Sequence, residues 1–125
     1  MIDHLSLGVG DLGASAAFYD AALAPLRFTR QLEFEGAIGY GSERPVFWIG
    51  RAADDAPVAA PPGLHVAFVA TERAAVEAFH AAATRTGGRD AGAPGLRPHY
   101  HENYYSAFVL DPDGYKVEAV CHDSG

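Results

Sequence analysis

Two histidines in matching settings are the first residues in this chain that could do chemistry. His4 heads the stretch DHLSLGVGD, and His65 heads HVAFVATE 61 positions later. Neutral imidazole is a ligand for divalent transition ions, and it titrates closer to neutral pH than other side chains. One histidine at a strand start is more often structural than functional. Two in the same register of a repeat point to a shared task. A second concentration is GLRPHYHENYY, residues 95 to 105, which holds Arg97, His99, Tyr100, His101, Tyr104 and Tyr105. Polar and aromatic groups at this density suit a substrate-lining loop or lid, and equally an exposed loop or a dimer contact.

The elements that must position these residues repeat as well. At the same offset Asp11 falls on Glu72, Ala17 on Ala78, Phe18 on Phe79 and Ala22 on Ala83. Each half reads as a histidine-bearing strand followed by an alanine-rich helix. Leu5, Leu7 and Val9 alternate with His4, Ser6 and Gly8; Leu64, Val66 and Phe68 alternate with His65, Ala67 and Val69. One face of each strand is therefore bulky and suited to a helix, while the histidine face is mostly spare. The helices are expected near Asp11 to Leu23 and Thr71 to Thr86, with Asp11 and Thr71 as caps and Pro25 and Gly87-Gly88 as stops. Short strands follow near residues 27–35, 37–40 and 46–50, then near 89–91, 104–110 and 115–121. Asp111-Pro112-Asp113-Gly114 is a turn signal joining the last two. The fold class is thus α+β: two βαβββ modules, residues 1–51 and 64–122, forming a curved, cavity-enclosing mixed sheet. Residues 52–63, rich in Ala, Pro and Asp, read as a surface-lying linker within a single domain spanning 1–125.

Composition limits the function. The chain is 49% hydrophobic and 20% charged, with a formal charge of −7 and no basic run. Nucleic acid and anionic membranes are disfavoured as partners. Nothing in the sequence reads as a signal peptide or a membrane span, and the lone Cys121 suits a reducing cytoplasm.

The motifs DHLSLGVGDL with AFYDAAL, and the ending AFVLDPDGYKVEAV, resemble the vicinal oxygen chelate superfamily of glyoxalases, bleomycin-resistance proteins and extradiol dioxygenases. The resemblance implies a divalent ion (Fe, Mn, Zn, Co or Ni) held by His4, His65 and Glu118, with Glu118 also catalytic. It places Trp48 where glyoxalase I has a fourth, acidic ligand, so ordinary glyoxalase I chemistry is not implied. It also implies that Tyr104, Ser106 and Phe108 face the cavity, and Phe108 stands where related enzymes often have a tyrosine. With no phenol there, acid–base work falls to His99, His101 or Tyr104. Trp48, Arg97, Tyr105 and Phe108 are candidate substrate contacts, joined by Phe47 if the pocket holds an aromatic compound. The family also implies a homodimer, in which exchanged modules would bring His4 from one subunit to His65 and Glu118 of the other. Three functions stay open: a metal-dependent enzyme on a small substrate, a metal-free protein that sequesters a hydrophobic or aromatic compound, and a structural dimer.

Overall fold

Strand alternation divides the residues of this chain into an inner and an outer set, and the architecture follows from that division. The computed structural model describes residues 1–52 and 57–125. In chain order it has β1 (Leu5–Val9), α1 (Leu12–Leu23), β2 (Thr29–Phe34), β3 (Ala37–Gly41), β4 (Phe47–Arg51), β5 (His65–Val69), α2 (Arg73–Arg85), β6 (Arg89–Leu96), β7 (Tyr105–Leu110) and β8 (Lys116–Cys121). The strands form two four-stranded mixed sheets, ordered β1-β4-β3-β2 and β5-β8-β7-β6. Within each, the first strand runs parallel to the last and the other pairings are antiparallel. Among the described residues the two sheets are not hydrogen-bonded to each other, so one chain presents two curved halves rather than one continuous surface.

The inner faces share one core. Leu7, Val9, Phe47 and Ile49 from the first sheet join Phe68, Val109, Val117 and Ala119 from the second, around Phe18, Tyr19, Leu23, Val76 and Phe79 of the helices. Phe68 meets both Phe28 and Phe47 edge-on, at ring separations of 5.6 and 5.2 Å. Phe47 therefore belongs to this core, not to a ligand pocket on the histidine face. Burial of several aromatic and branched side chains, each contributing about 1.5–3 kcal/mol, holds the modules together.

Helix boundaries follow local chemistry, with one correction. The Asp11 side chain accepts from Ala14 N–H at 3.1 Å, as an N-cap should. In α2 the cap position is Glu72 rather than Thr71, and no side chain caps it. That helix is held by burying Ala75, Val76, Phe79 and Ala83. Beyond α1, Pro25 does not stop the chain at once; a 3₁₀ turn over Ala24–Leu26 extends it before Arg27 turns left-handed at φ 64°. Gly88 marks a close approach, since a Cβ there would lie 2.5 Å from Phe18 Cε1.

The sixth strand is longer than expected, running to Leu96 with register shifts near Gly92. It lies at the sheet edge, where Pro94 costs no ladder bond. Of the expected linker, residues 53–56 lie outside the described residues. Ala52 N–H bonds to Val9 O, while Val58 and Ala60 rest on the core.

The turn at 111–114 ties the modules. Asp111 accepts from the backbone N–H groups of Asp113 and Tyr115, and from Tyr19 Oη at 2.6 Å. Asp113 accepts from Gly10 N–H, and Tyr115 Oη donates to Gly8 O at 2.7 Å. Burial raises the Asp111 carboxyl above the ordinary range, opposed by these donors. No helix among the described residues is long and apolar enough to cross a membrane.

A candidate site divided between two sheet faces

With the inner faces filled by core residues, the histidines are left on the outer ones. His4, Ser6 and Gly8 are exposed on the first sheet, and His65, Ala67 and Val69 on the second. Period-two alternation puts Glu118 on the same outer face as His65, because Ala67 pairs with Glu118 across β5 and β8.

Glu118 is the centre of the second face. It is 1% exposed, yet both carboxylate oxygens have partners. His65 Nε2 lies 2.6 Å from Oε1, and Tyr104 Oη donates to Oε2 at 2.6 Å. A buried carboxylate left bare would lose its hydration, so two short charge-assisted bonds offset much of that cost. Burial, and then the bond to Glu118, push the Tyr104 phenol up, which keeps it a proton donor across the neutral range. Phe108 stands edge-on to His65 at 5.6 Å. Ser106, on the same face, is fully buried, and its Oγ has no partner among the described residues.

The first face carries the other half. His4 lines a cleft with Ser6, Gly8, Trp48, Gly50 and Arg51. Its Nδ1 lies 2.7 Å from Asp3 Oδ2. With that proton on Nδ1, the Nε2 lone pair is free, as in a carboxylate–histidine–metal arrangement. Bonding to His4, with help from Arg44, holds the Asp3 carboxyl below its ordinary range. Trp48 stacks on Phe34 at 5.8 Å and 7°. It pairs with Ser6, just as Glu118 pairs with Ala67, so the repeat puts indole and carboxylate in equivalent positions.

Not every candidate reaches the site. Tyr105 is on the opposite face of its strand from Tyr104. Its hydroxyl donates to Glu77 of α2 at 2.7 Å, and Arg73 lies over its ring. It packs on the helix, away from the face that carries Glu118. His99 is exposed and packs on Tyr100 at 4.2 Å. His101 bonds to His122 at 2.9 Å, accepts from Asn103 N–H, and meets Tyr104 edge-on. Among the described hydrogen bonds, neither His99 nor His101 touches Glu118; Tyr104 does. Arg97 lies over Phe108 at 5.5 Å, and so does Lys116, at 4.6 Å, a residue the sequence reading missed. Lys116 stands two residues before Glu118, so strand alternation alone assigns it to the same face.

One chain gathers two of the three donors that would hold a divalent ion. Imidazole nitrogen and carboxylate oxygen on His65 and Glu118 are suitable donors. The third donor, His4, stands on the other sheet, and among the described residues no three His, Cys, Asp or Glu side chains converge. One chain does not assemble the triad.

Comparison with known proteins agrees with this fold. The model of the Glyoxalase/Bleomycin resistance protein/Dioxygenase superfamily matches residues 1–119, and the chain belongs to that family. A glyoxalase/bleomycin resistance protein from Albidiferax ferrireducens is 31% identical, with a TM-score of 0.87 over 97% of this chain and 98% of that one. A glyoxalase-related enzyme from Fulvimarina pelagi is 21% identical over 97% of this chain and 87% of its own, with a TM-score of 0.76, a likeness of fold alone. A glyoxalase I mutant from Zea mays is 25% identical at a TM-score of 0.69; the match covers 95% of this chain and 45% of that one. No curated protein matches the sequence.

Proposed function

We propose that the chain is a small metal-dependent enzyme that acts on adjacent oxygens of a small molecule, with its site completed in a homodimer. The observation that carries this reading is the 2.6 Å contact of His65 Nε2 with Glu118 Oε1 on an open sheet face. Its repeat equivalent, His4, has an indole nearby in place of the acid. Each half is incomplete alone, and the two are complementary.

A second copy supplies what is missing. Among the described residues β1 bonds only to β4 and β5 only to β8, so each keeps one unpaired edge. Leu5 and Val69 are 36% and 65% exposed on those edges and line an apolar groove with Phe28 and Val66. Exposed apolar edges invite strand-to-strand association. Placing one copy's first module beside the other's second would bring His4 to His65 and Glu118.

In that arrangement His4 Nε2, His65 Nε2 and a Glu118 oxygen would hold the ion. When bound, it would act as a Lewis acid on the substrate oxygens. To take the ion through Nε2, His65 would carry its remaining ring proton on Nδ1, and protons would compete with the metal for both imidazoles as pH falls. Tyr104 would keep Glu118 oriented from the far oxygen and offer a proton at its own hydroxyl.

One observation favours a metal-free binding protein instead: Glu118 already has two protein partners, so its burial does not require a cation. Light scattering and Zn²⁺, Mn²⁺ and Ni²⁺ titration of protein purified without a metal-binding tag separate the readings. A dimer that takes up one ion per chain, with loss in His4→Ala, His65→Ala and Glu118→Gln, supports the enzyme. A monomer, or no uptake by the parent, supports the binding protein.

A further inference from the structure

Arg97 is fixed over the second sheet face by more than its own sequence position. Its backbone N–H donates to Tyr104 O at 2.7 Å, and its carbonyl accepts from Tyr100 N–H at 3.0 Å. The side chain folds back so that Nη2 donates to Ala93 O at 2.8 Å, and the guanidinium lies over Phe108. Two glycines of β6 make room. A Cβ at Gly92 would stand 3.3 Å from Nη2, and one at Gly95 would stand 3.1 Å from Nη1. The other cation on Phe108 is Lys116, whose Nζ is 4.6 Å from the ring centre.

Neither cation has a carboxylate partner among the described residues, although acids outnumber bases in the chain. Arg30, by contrast, is paired with Asp20 and Glu33, and Arg44 with Asp3. Arg97 and Lys116 carry two positive charges beside Glu118, which carries one negative. Guanidinium Nη1 has no protein acceptor among the described bonds, and its planar fork matches a carboxylate.

From this geometry we infer that the substrate of the site carries a carboxylate, held by Arg97 beside Phe108, with Lys116 the second cation against that ring. The inference rests on the reading that the outer face of the second sheet is the substrate site, and it adds the substrate's charge and chemical class. Seating the acid there leaves the rest of the molecule toward His65 and Glu118. Arg97 is half-buried, and the ring of Phe108 covers one side of its guanidinium, which strengthens its hold on an anion.

The test uses matched probes. Benzoate, benzamide and phenyl phosphate are titrated calorimetrically into EDTA-dialysed protein and into protein loaded with Zn²⁺. Benzoate is expected to bind at least tenfold more tightly than benzamide in both forms. Arg97→Gln and Lys116→Gln should each reduce that preference, and the double variant should abolish it. Equal affinity for benzoate and benzamide, absence of benzoate binding, or a preference that survives the double variant would overturn the inference. Tighter binding of phenyl phosphate than of benzoate would overturn the carboxylate assignment. The acid preference of EDTA-dialysed protein is read independently of metal uptake, so either result can fail without the other.

Discussion

Trp48 and Glu118 occupy the same position in the two repeats, one pairing with Ser6 and the other with Ala67, residues related by the repeat offset. The second module thus gives its histidine an acid, and the first gives its histidine an aromatic plane. Trp48→Glu should place a carboxylate beside His4 and tighten Zn²⁺ binding by roughly tenfold, about 1.4 kcal/mol. The Phe34 stack would be lost in exchange. Calorimetric titration of the variant against the parent measures the gain.

Tyr104 donates its hydroxyl proton to a carboxylate that is 1% exposed. Tyr104→Phe removes that donor from a buried acceptor and should cost about 1–3 kcal/mol of stability at neutral pH. Glu118→Gln combined with Tyr104→Phe should lose less than the sum of the singles, since the two groups act on each other. Urea unfolding of the four proteins gives the coupling.

Asp3 touches His4 but would not touch the ion. Its carboxylate fixes the imidazole with Nε2 free, so Asp3→Ala should weaken metal binding by roughly 10–100-fold. The oligomeric state should match that of the parent by light scattering. An unchanged affinity would mean that the Asp3–His4 contact does not position the ligand.

Acid stability should carry a signature of Asp20. Arg30 donates to both its oxygens at 2.8 and 2.7 Å, and Tyr40 adds a third bond at 2.9 Å. The Arg30 bonds, ahead of Tyr40, hold its carboxyl below the ordinary value of 3.8. A depressed folded-state pKa gives stability that is present above the unfolded value and lost as pH falls through the folded one. Asp20→Asn should therefore be less stable than the parent at neutral pH, by under about 1 kcal/mol because the pair is partly exposed. The difference should close as pH falls below 3.8 and through the lowered folded-state value. Asp111 acts in the opposite sense, since its raised value makes its ionisation a cost at neutral pH that acid relieves. Denaturant midpoints across pH measure both.

Much of this was legible in the residues alone. Alternation in LSLGV and HVAFV separates core from outer faces because a strand's period is fixed, and Asp11 announces its helix by its own chemistry. Thr71 misled because a cap needs a particular backbone geometry, which tertiary packing placed at Glu72. Tyr105 misled because the tyrosine pair sits where the loop becomes a strand, and only the register decides which ring faces Glu118. Lys116 was readable from its spacing to Glu118, but a lone lysine after a turn carries no signal until Phe108 and Arg97 are seen around it. The separation of His4 from His65 was not legible at all. It depends on how the two modules share a core, and spacing along the chain says nothing of that.

The most direct test of a site shared between two chains is complementation. One chain carries His4→Ala, and the other carries His65→Ala with Glu118→Gln; each is assayed alone and after unfolding and refolding together. In a mixed dimer, the intact His4 of one chain would meet the intact His65 and Glu118 of the other. Each variant alone should fail to hold metal, and mixed dimers, separated by differential tags that bind no metal, should recover one ion per dimer by elemental analysis. Mixed dimers that hold no metal while the parent does, or single variants that hold it as the parent does, would contradict the shared site.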